Sequence, residues 1–69
     1  MRWLLEEYKI RNHYHSLKEV AERSGFSYPT FMRRIEHPES MKIYEIMCLN
    51  KVLHFTDEDL LKIMRGEAE

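Results

Sequence analysis

Hydrophobic residues recur along most of the chain at the spacing of three and four positions that places them on one side of a helix. This pattern predicts five helices, at about residues 2–11, 17–24, 28–36, 41–53 and 57–65. Such short helices fill the chain and leave little length for connections. We therefore expect a single compact all-α domain over residues 1–69.

The helix boundary signals are sharpest around residues 16–29. Ser16 opens a capping-box pattern, S-L-K-E, and Gly25 ends the second helix because glycine enters the left-handed conformation without a Cβ penalty. Ser27 is a favoured N-cap, and Pro29 falls in the first turn of the next helix, where its missing N–H costs nothing. Two helices joined by so short a turn predict a helix-turn-helix.

The third predicted helix has an inward side and an outward side. At roughly 100° per residue, Phe31 and Ile35 point into the core, whereas Pro29 and Arg33 point the opposite way. A rigid helix presented outward in this manner fits the major groove of DNA, with its N-terminal residues close to the base edges.

Other apolar residues are expected to build the core. The predicted inward side of the fourth helix comprises Ile43, Ile46, Met47, Leu49 and Leu53. Asn50 lies close to that side, where it either makes a polar contact or lies at the edge, and we favour the edge. Large aromatic side chains help so small a domain to hold together, so we expect Trp3, Tyr8, Tyr14 and Tyr44 to pack in or beside the core.

The amino-acid composition agrees with a folded domain and argues against a disulfide-stabilised or membrane-spanning protein. Hydrophobic residues make up 43% and charged residues 33% of the 69 positions. The only cysteine, Cys48, cannot form an internal disulfide, and no apolar run approaches the roughly 20 residues of a membrane span. We therefore expect a cytoplasmic protein that does not contact membranes.

Charge is distributed unevenly along the chain. The formal net charge is only −1, which argues mildly against binding to a polyanion. Residues 8–42, however, contain seven Lys or Arg against four Glu, whereas residues 57–69 contain five acids against two bases. The middle of the chain, which includes the predicted helix-turn-helix, is thus its basic part.

Nearly the whole sequence resembles one known family. LKEVAERSGFSYPTFMRRIE, followed by a short loop and IYEIMCLNKVLHFTDEDLL, is similar to the five-helix DNA-binding domain of the Cro and lambda-repressor class. Ala21, Gly25, Phe31 and the segment ending at Leu61 occupy framework positions of that family. The resemblance implies a sequence-specific, repressor-like transcriptional regulator of a bacterium, plasmid or phage. Such a protein binds a double-stranded operator, commonly as a homodimer, in the bacterial nucleoid or a phage-infected cell.

Roles follow for individual residues as hypotheses. Arg33 is the main candidate for base readout, because a guanidinium can hydrogen-bond O6 and N7 of guanine together. The other residues expected to line the groove are Tyr28, Pro29, Thr30 and Met32. The expected phosphate contacts are Lys18, Ser27, Arg34 and Lys42. If some of the large apolar side chains lie exposed instead of packing, we expect a dimer contact formed by Trp3, Leu60, Leu61 and Met64.

A protein-interaction module is the main alternative, such as an anti-repressor or assembly factor that kept the helical framework and lost DNA binding. Leu17 stands where the family often has a phosphate-binding glutamine, and the loop His37-Pro38-Glu39-Ser40 is not basic. Both departures favour this alternative. The sequence shows no nucleophile paired with a base and no metal-ligand set, so we expect no enzyme activity, metal, cofactor or small-molecule effector.

Overall fold

The computed structural model describes residues 1–67, so the last two residues of the predicted domain lie outside the described residues. The described part contains five α-helices, one short 3₁₀ helix and no β-strand. The elements are α1 (Arg2–Arg11), α2 (Leu17–Ser24), α3 (Tyr28–Glu36), the 3₁₀ helix (Pro38–Ser40), α4 (Ile43–Leu53) and α5 (Asp57–Met64). The expected all-α fold is confirmed. Four helix starts agree with the sequence pattern, and α4 begins two residues later than predicted.

One apolar cluster holds the helices together, and every α-helix contributes to it. From α1 come Leu5 and Tyr8, and from α2 come Leu17, Val20 and Ala21. The fully buried side chains of α3 and α4 are Phe31, Leu49 and Leu53. Ile63 is the buried residue of α5, and it lies between Leu61 and Met64, which are about half exposed.

The turn between α2 and α3 has the predicted geometry. Gly25 has φ +85° and ψ +15°, the left-handed conformation, and ends α2. At the other end of α2, the Ser16 hydroxyl accepts a hydrogen bond from the Glu19 N–H, while the Glu19 carboxylate reaches back to the N–H of His15. These local bonds fix both ends of α2, which packs against α1, α3 and α4.

The two terminal helices meet at Tyr8. Its hydroxyl donates to Oδ2 of Asp59 at 2.5 Å and accepts a hydrogen bond from the N–H of Thr56 at 3.1 Å. The Phe55 ring packs edge-on against the Tyr8 ring, with 4.8 Å between centroids. A buried tyrosine thus connects α1 to the start of α5, where the Thr56 hydroxyl caps the helix through Asp59 N–H.

The inward side of α4 differs from the prediction. Ile43 and Met47 are 67% and 44% exposed, whereas the charged residue Glu45 is buried with Ile46 and Leu49. The reason is that Glu45 has polar partners: it accepts hydrogen bonds from Arg34 and from the backbone N–H of Lys42. The second bond also explains the late start of α4, because it holds Lys42 as the extended residue before the helix.

Three further predictions need correction. Trp3 and Tyr44 are 81% and 63% exposed and do not pack in the core, although Tyr8 and Tyr14 do. Asn50 does not merely lie at the edge, because its side-chain oxygen accepts a hydrogen bond from the N–H of Phe55. That bond supports the chain where it leaves α4 at His54, a residue in the left-handed conformation.

Candidate functional site

The outward face of α3 is the first part of the candidate site. Tyr28, Pro29 and Arg33 are exposed, whereas Phe31 and Ile35 on the opposite side are buried. Within residues 1–67 the Arg33 side chain makes no hydrogen bond or ion pair. Its guanidinium is therefore available to an outside partner.

The flanks of this face are less open. Thr30 and Met32 are half-buried, and Met32 packs against the core cluster. The Ser27 hydroxyl does not cap α3 through a backbone N–H; it donates instead to Oγ1 of Thr30 at 2.9 Å. Of the five residues expected to read bases, three are thus exposed and two are partly covered.

The four expected phosphate contacts differ in availability. Lys18, Ser27 and Lys42 are exposed. Arg34 is different, because its Nε lies 3.1 Å from Oε1 of Glu45, and the two side chains are only 19% and 8% exposed. The positive charge of Arg34 therefore mainly neutralises the buried carboxylate of Glu45. Sequence reasoning missed this pair, since no spacing rule connects residues on two different helices.

A cleft of about 290 Å³ lies between the α2–α3 turn and the first turns of α4. The residues that line it are Ser24, Gly25, Phe26, Ser27, Thr30, Tyr44, Glu45 and Cys48. Ser27 and Thr30, which were predicted to contact DNA, line this cleft together with Tyr44, which was predicted to pack in or beside the core. Lys42 lies beside this group, with its Nζ 5.9 Å from the centroid of the Tyr44 ring.

The cleft also contains an unusual buried group. Ser24 is 8% exposed, and its Oγ has no hydrogen-bond partner within the described residues. Buried hydroxyl groups are nearly always hydrogen-bonded, because leaving one unpaired costs free energy.

The expected dimer residues do not form one surface feature. Leu61 and Met64 are about half exposed, whereas Leu60 is partly buried against the core. Met64 borders a groove of about 160 Å³ that it shares with Ile43 of α4. Trp3 borders a separate depression, together with Arg2 and Glu6.

Residues 1–67 contain neither a metal-binding cluster nor a membrane-spanning helix. No group of three or more His, Cys, Asp or Glu side chains there could hold a metal ion. None of the helices described is long and apolar enough to cross a bilayer.

Comparison with known proteins identifies no relative. No family model, no curated protein and no solved structure matches the chain.

Proposed function

We propose that this protein is a sequence-specific DNA-binding regulator of transcription, repressor-like, with α2 and α3 as its helix-turn-helix. The observation that supports this most is the outward face of α3, where Arg33 is exposed and unpaired within the described residues. An arginine on such a helix can make the bidentate contact with guanine that discriminates among bases. The resemblance of the sequence to the Cro and lambda-repressor class supports the same function.

The dimensions of α3 suit the major groove. An α-helix with its side chains is about 10–12 Å across, and the major groove of B-form DNA is about 12 Å wide, so the nine residues of α3 can enter it. Tyr28 and Pro29 lie in the first turn, where a recognition helix approaches the base edges. In this proposal Arg33 and Tyr28 read bases, and Thr30 contributes from the flank.

Phosphate contacts in the proposal come from both sides of α3. Lys18 lies in the first turn of α2, and Lys42 immediately precedes α4. Arg34 has a different role from the one expected, because its ion pair with Glu45 attaches α3 to α4. A helix held in this way keeps its orientation when it enters the groove, so Arg34 acts as a positioning residue.

A homodimer completes the proposal. One helix of this length reads few base pairs, and two half-sites one helical turn apart multiply the discrimination. The exposed side chains Leu61 and Met64 on α5, with Ile43 beside Met64, offer an apolar surface for a two-fold contact.

The decisive experiment is selection of bound sequences from a random pool of duplex DNA at physiological salt. We expect enrichment of a defined motif with two-fold symmetry. A pool that remains random after selection would contradict the proposal.

A protein-interaction module is the second candidate, and specific observations favour it. Leu17 is buried, so its position cannot supply a phosphate contact. Glu39 adds a negative charge next to α3. Trp3 and Ile43 are exposed apolar side chains that a protein partner could cover. Salt dependence separates the two functions. Binding to DNA through several phosphates weakens steeply as salt rises, whereas a mainly apolar protein interface responds weakly.

A further inference from the structure

We infer that Glu36, the last residue of α3, is a second base-reading residue, which selects cytosine at a base pair next to the one that Arg33 reads. This inference rests on the proposed DNA binding and adds a specificity-determining residue to it. The sequence pattern assigned no role to Glu36.

Glu36 lies on the same outward side of α3 as Arg33. At about 100° per residue the two positions are about 60° apart around the helix, and the buried residues Phe31 and Ile35 lie on the opposite side. Both Arg33 and Glu36 are exposed. They are separated by about 4.5 Å along the helix axis, and successive base pairs are about 3.4 Å apart, so the two side chains can reach neighbouring base pairs.

The Glu36 carboxylate has no hydrogen bond or ion pair within the described residues, which is unusual in this chain. Every other glutamate of residues 1–67 except Glu22 lies within 4.0 Å of a Lys, Arg or His nitrogen. Arg33 is only three positions away and is also without a partner there, yet the two side chains do not pair. Both charges are therefore available to an outside partner.

The charge of Glu36 stabilises neither the helix nor general DNA binding. Glu36 ends α3, and the partial negative charge at a helix C-terminus repels a carboxylate. A carboxylate on a surface that faces DNA also repels the phosphates, which weakens binding to every sequence alike. A contact with one kind of base offsets both costs, and it does so only at the correct site.

A carboxylate can distinguish bases because it only accepts hydrogen bonds. In the major groove cytosine presents a donor, its N4 amino group, whereas guanine presents two acceptors and thymine presents one. Adenine presents a donor beside an acceptor. Glu36 therefore favours cytosine, tolerates adenine and repels guanine and thymine, while Arg33 reads guanine.

The test is selection from random duplex DNA at physiological salt, with the whole 69-residue chain as wild type and as Glu36→Gln. Glutamine has nearly the shape of glutamate, but it can hydrogen-bond N6 and N7 of adenine together. We expect the wild-type motif to contain a base pair at which cytosine is preferred over guanine and thymine by about 5- to 150-fold, the usual cost of one mismatch. Glu36→Gln should change this preference to adenine, and Glu36→Ala should lose it without gaining another.

Glu22→Gln is the matched control. Glu22 is also exposed and without a partner within the described residues, but it lies on α2. Its substitution removes the same charge, so it should leave every base preference unchanged. Circular dichroism and thermal unfolding of these variants should match the wild type, because both glutamates are exposed and unpaired within residues 1–67.

Two results would overturn the inference while the proposed function stands. In one, Glu36→Gln selects the wild-type motif, even if it binds all duplexes more tightly. In the other, Glu22→Gln changes the same base preference, so that the effect comes from net charge and not from a base contact. A wild type that enriches no sequence contradicts the proposed function and the inference together.

Discussion

Arg34 of α3 and Glu45 of α4 form an ion pair that is almost shielded from solvent, with 3.1 Å between Nε and Oε1. Glu45 also accepts the N–H of Lys42, so one carboxylate both starts α4 and attaches it to α3. Burying a charge away from water costs free energy. When one partner of a buried ion pair is removed, the other charge stays buried without compensation and destabilises the fold.

The first prediction concerns this pair. Glu45→Gln should lower the free energy of unfolding by about 3 kcal/mol, because Arg34 is left as an unpaired charge with little access to water. Denaturation in urea measures the change. Glu39→Gln is the control: Glu39 is exposed and, among residues 1–67, pairs only with His37, so its loss should change stability by less than about 0.5 kcal/mol. Equal effects for the two variants would contradict this account.

The second prediction concerns base readout. Arg33→Ala should lower affinity for the selected duplex by about 5- to 150-fold and relax discrimination at one base pair, because the bidentate contact is lost. Competition binding with duplexes altered at single positions measures both effects. Arg23→Ala is the control, since Arg23 is an exposed arginine of α2 that lies near Glu19 and Tyr14. Unchanged affinity and unchanged discrimination in Arg33→Ala would remove this residue from the readout.

The third prediction concerns Tyr8. Tyr8→Phe keeps the ring against Phe55 but leaves the N–H of Thr56 and the carboxylate of Asp59 without their shared partner. We expect a loss of about 1–3 kcal/mol in the free energy of unfolding. Thermal or urea denaturation gives the value. Tyr44→Phe should be neutral in the same measurement, because Tyr44 is 63% exposed and its hydroxyl makes no hydrogen bond within residues 1–67. A comparable loss there would count against the explanation.

The fourth prediction is a stabilising change. His54 ends α4 with φ +55°, a conformation that costs an L-residue free energy and that glycine adopts freely. His54→Gly should therefore raise the free energy of unfolding by about 0.5–1 kcal/mol, after the entropy that glycine adds to the unfolded chain is subtracted. His15→Gly at an ordinary backbone position should lower it instead. A destabilised His54→Gly variant would show that the histidine side chain has a role of its own.

Local signals made most of the helix boundaries predictable. The bonds that end or begin a helix join residues three or four positions apart, as between Ser16 and Glu19 or between Thr56 and Asp59. Gly25 likewise acts through its own backbone conformation. Such signals can be read from one short segment, so the turn before α3 was placed correctly.

The errors arose where a residue depends on a distant partner. Glu45 is buried because Arg34, 11 positions earlier and on another helix, neutralises it. Its burial turns Ile43 and Met47 toward solvent, which a count of apolar residues along α4 does not reveal. The cleft around Ser24 was missed for the same reason, since three separate segments form it.

Trp3 shows the limit of reasoning from residue size. Its neighbours Leu5 and Tyr8 already fill the side of α1 that faces the core, and Trp3 points away from them. A large aromatic residue is buried only if its position on the helix faces the interior.

The contacts of Tyr8 with the start of α5 have a consequence for how the domain opens. Tyr8 lies 48 and 51 positions before Thr56 and Asp59, so α1 cannot detach without also releasing the start of α5. Amide hydrogens in these two terminal helices should therefore exchange with solvent through one shared opening event, at a single protection free energy. In many proteins two such helices fray independently, whereas α1 and α5 are expected to unfold together.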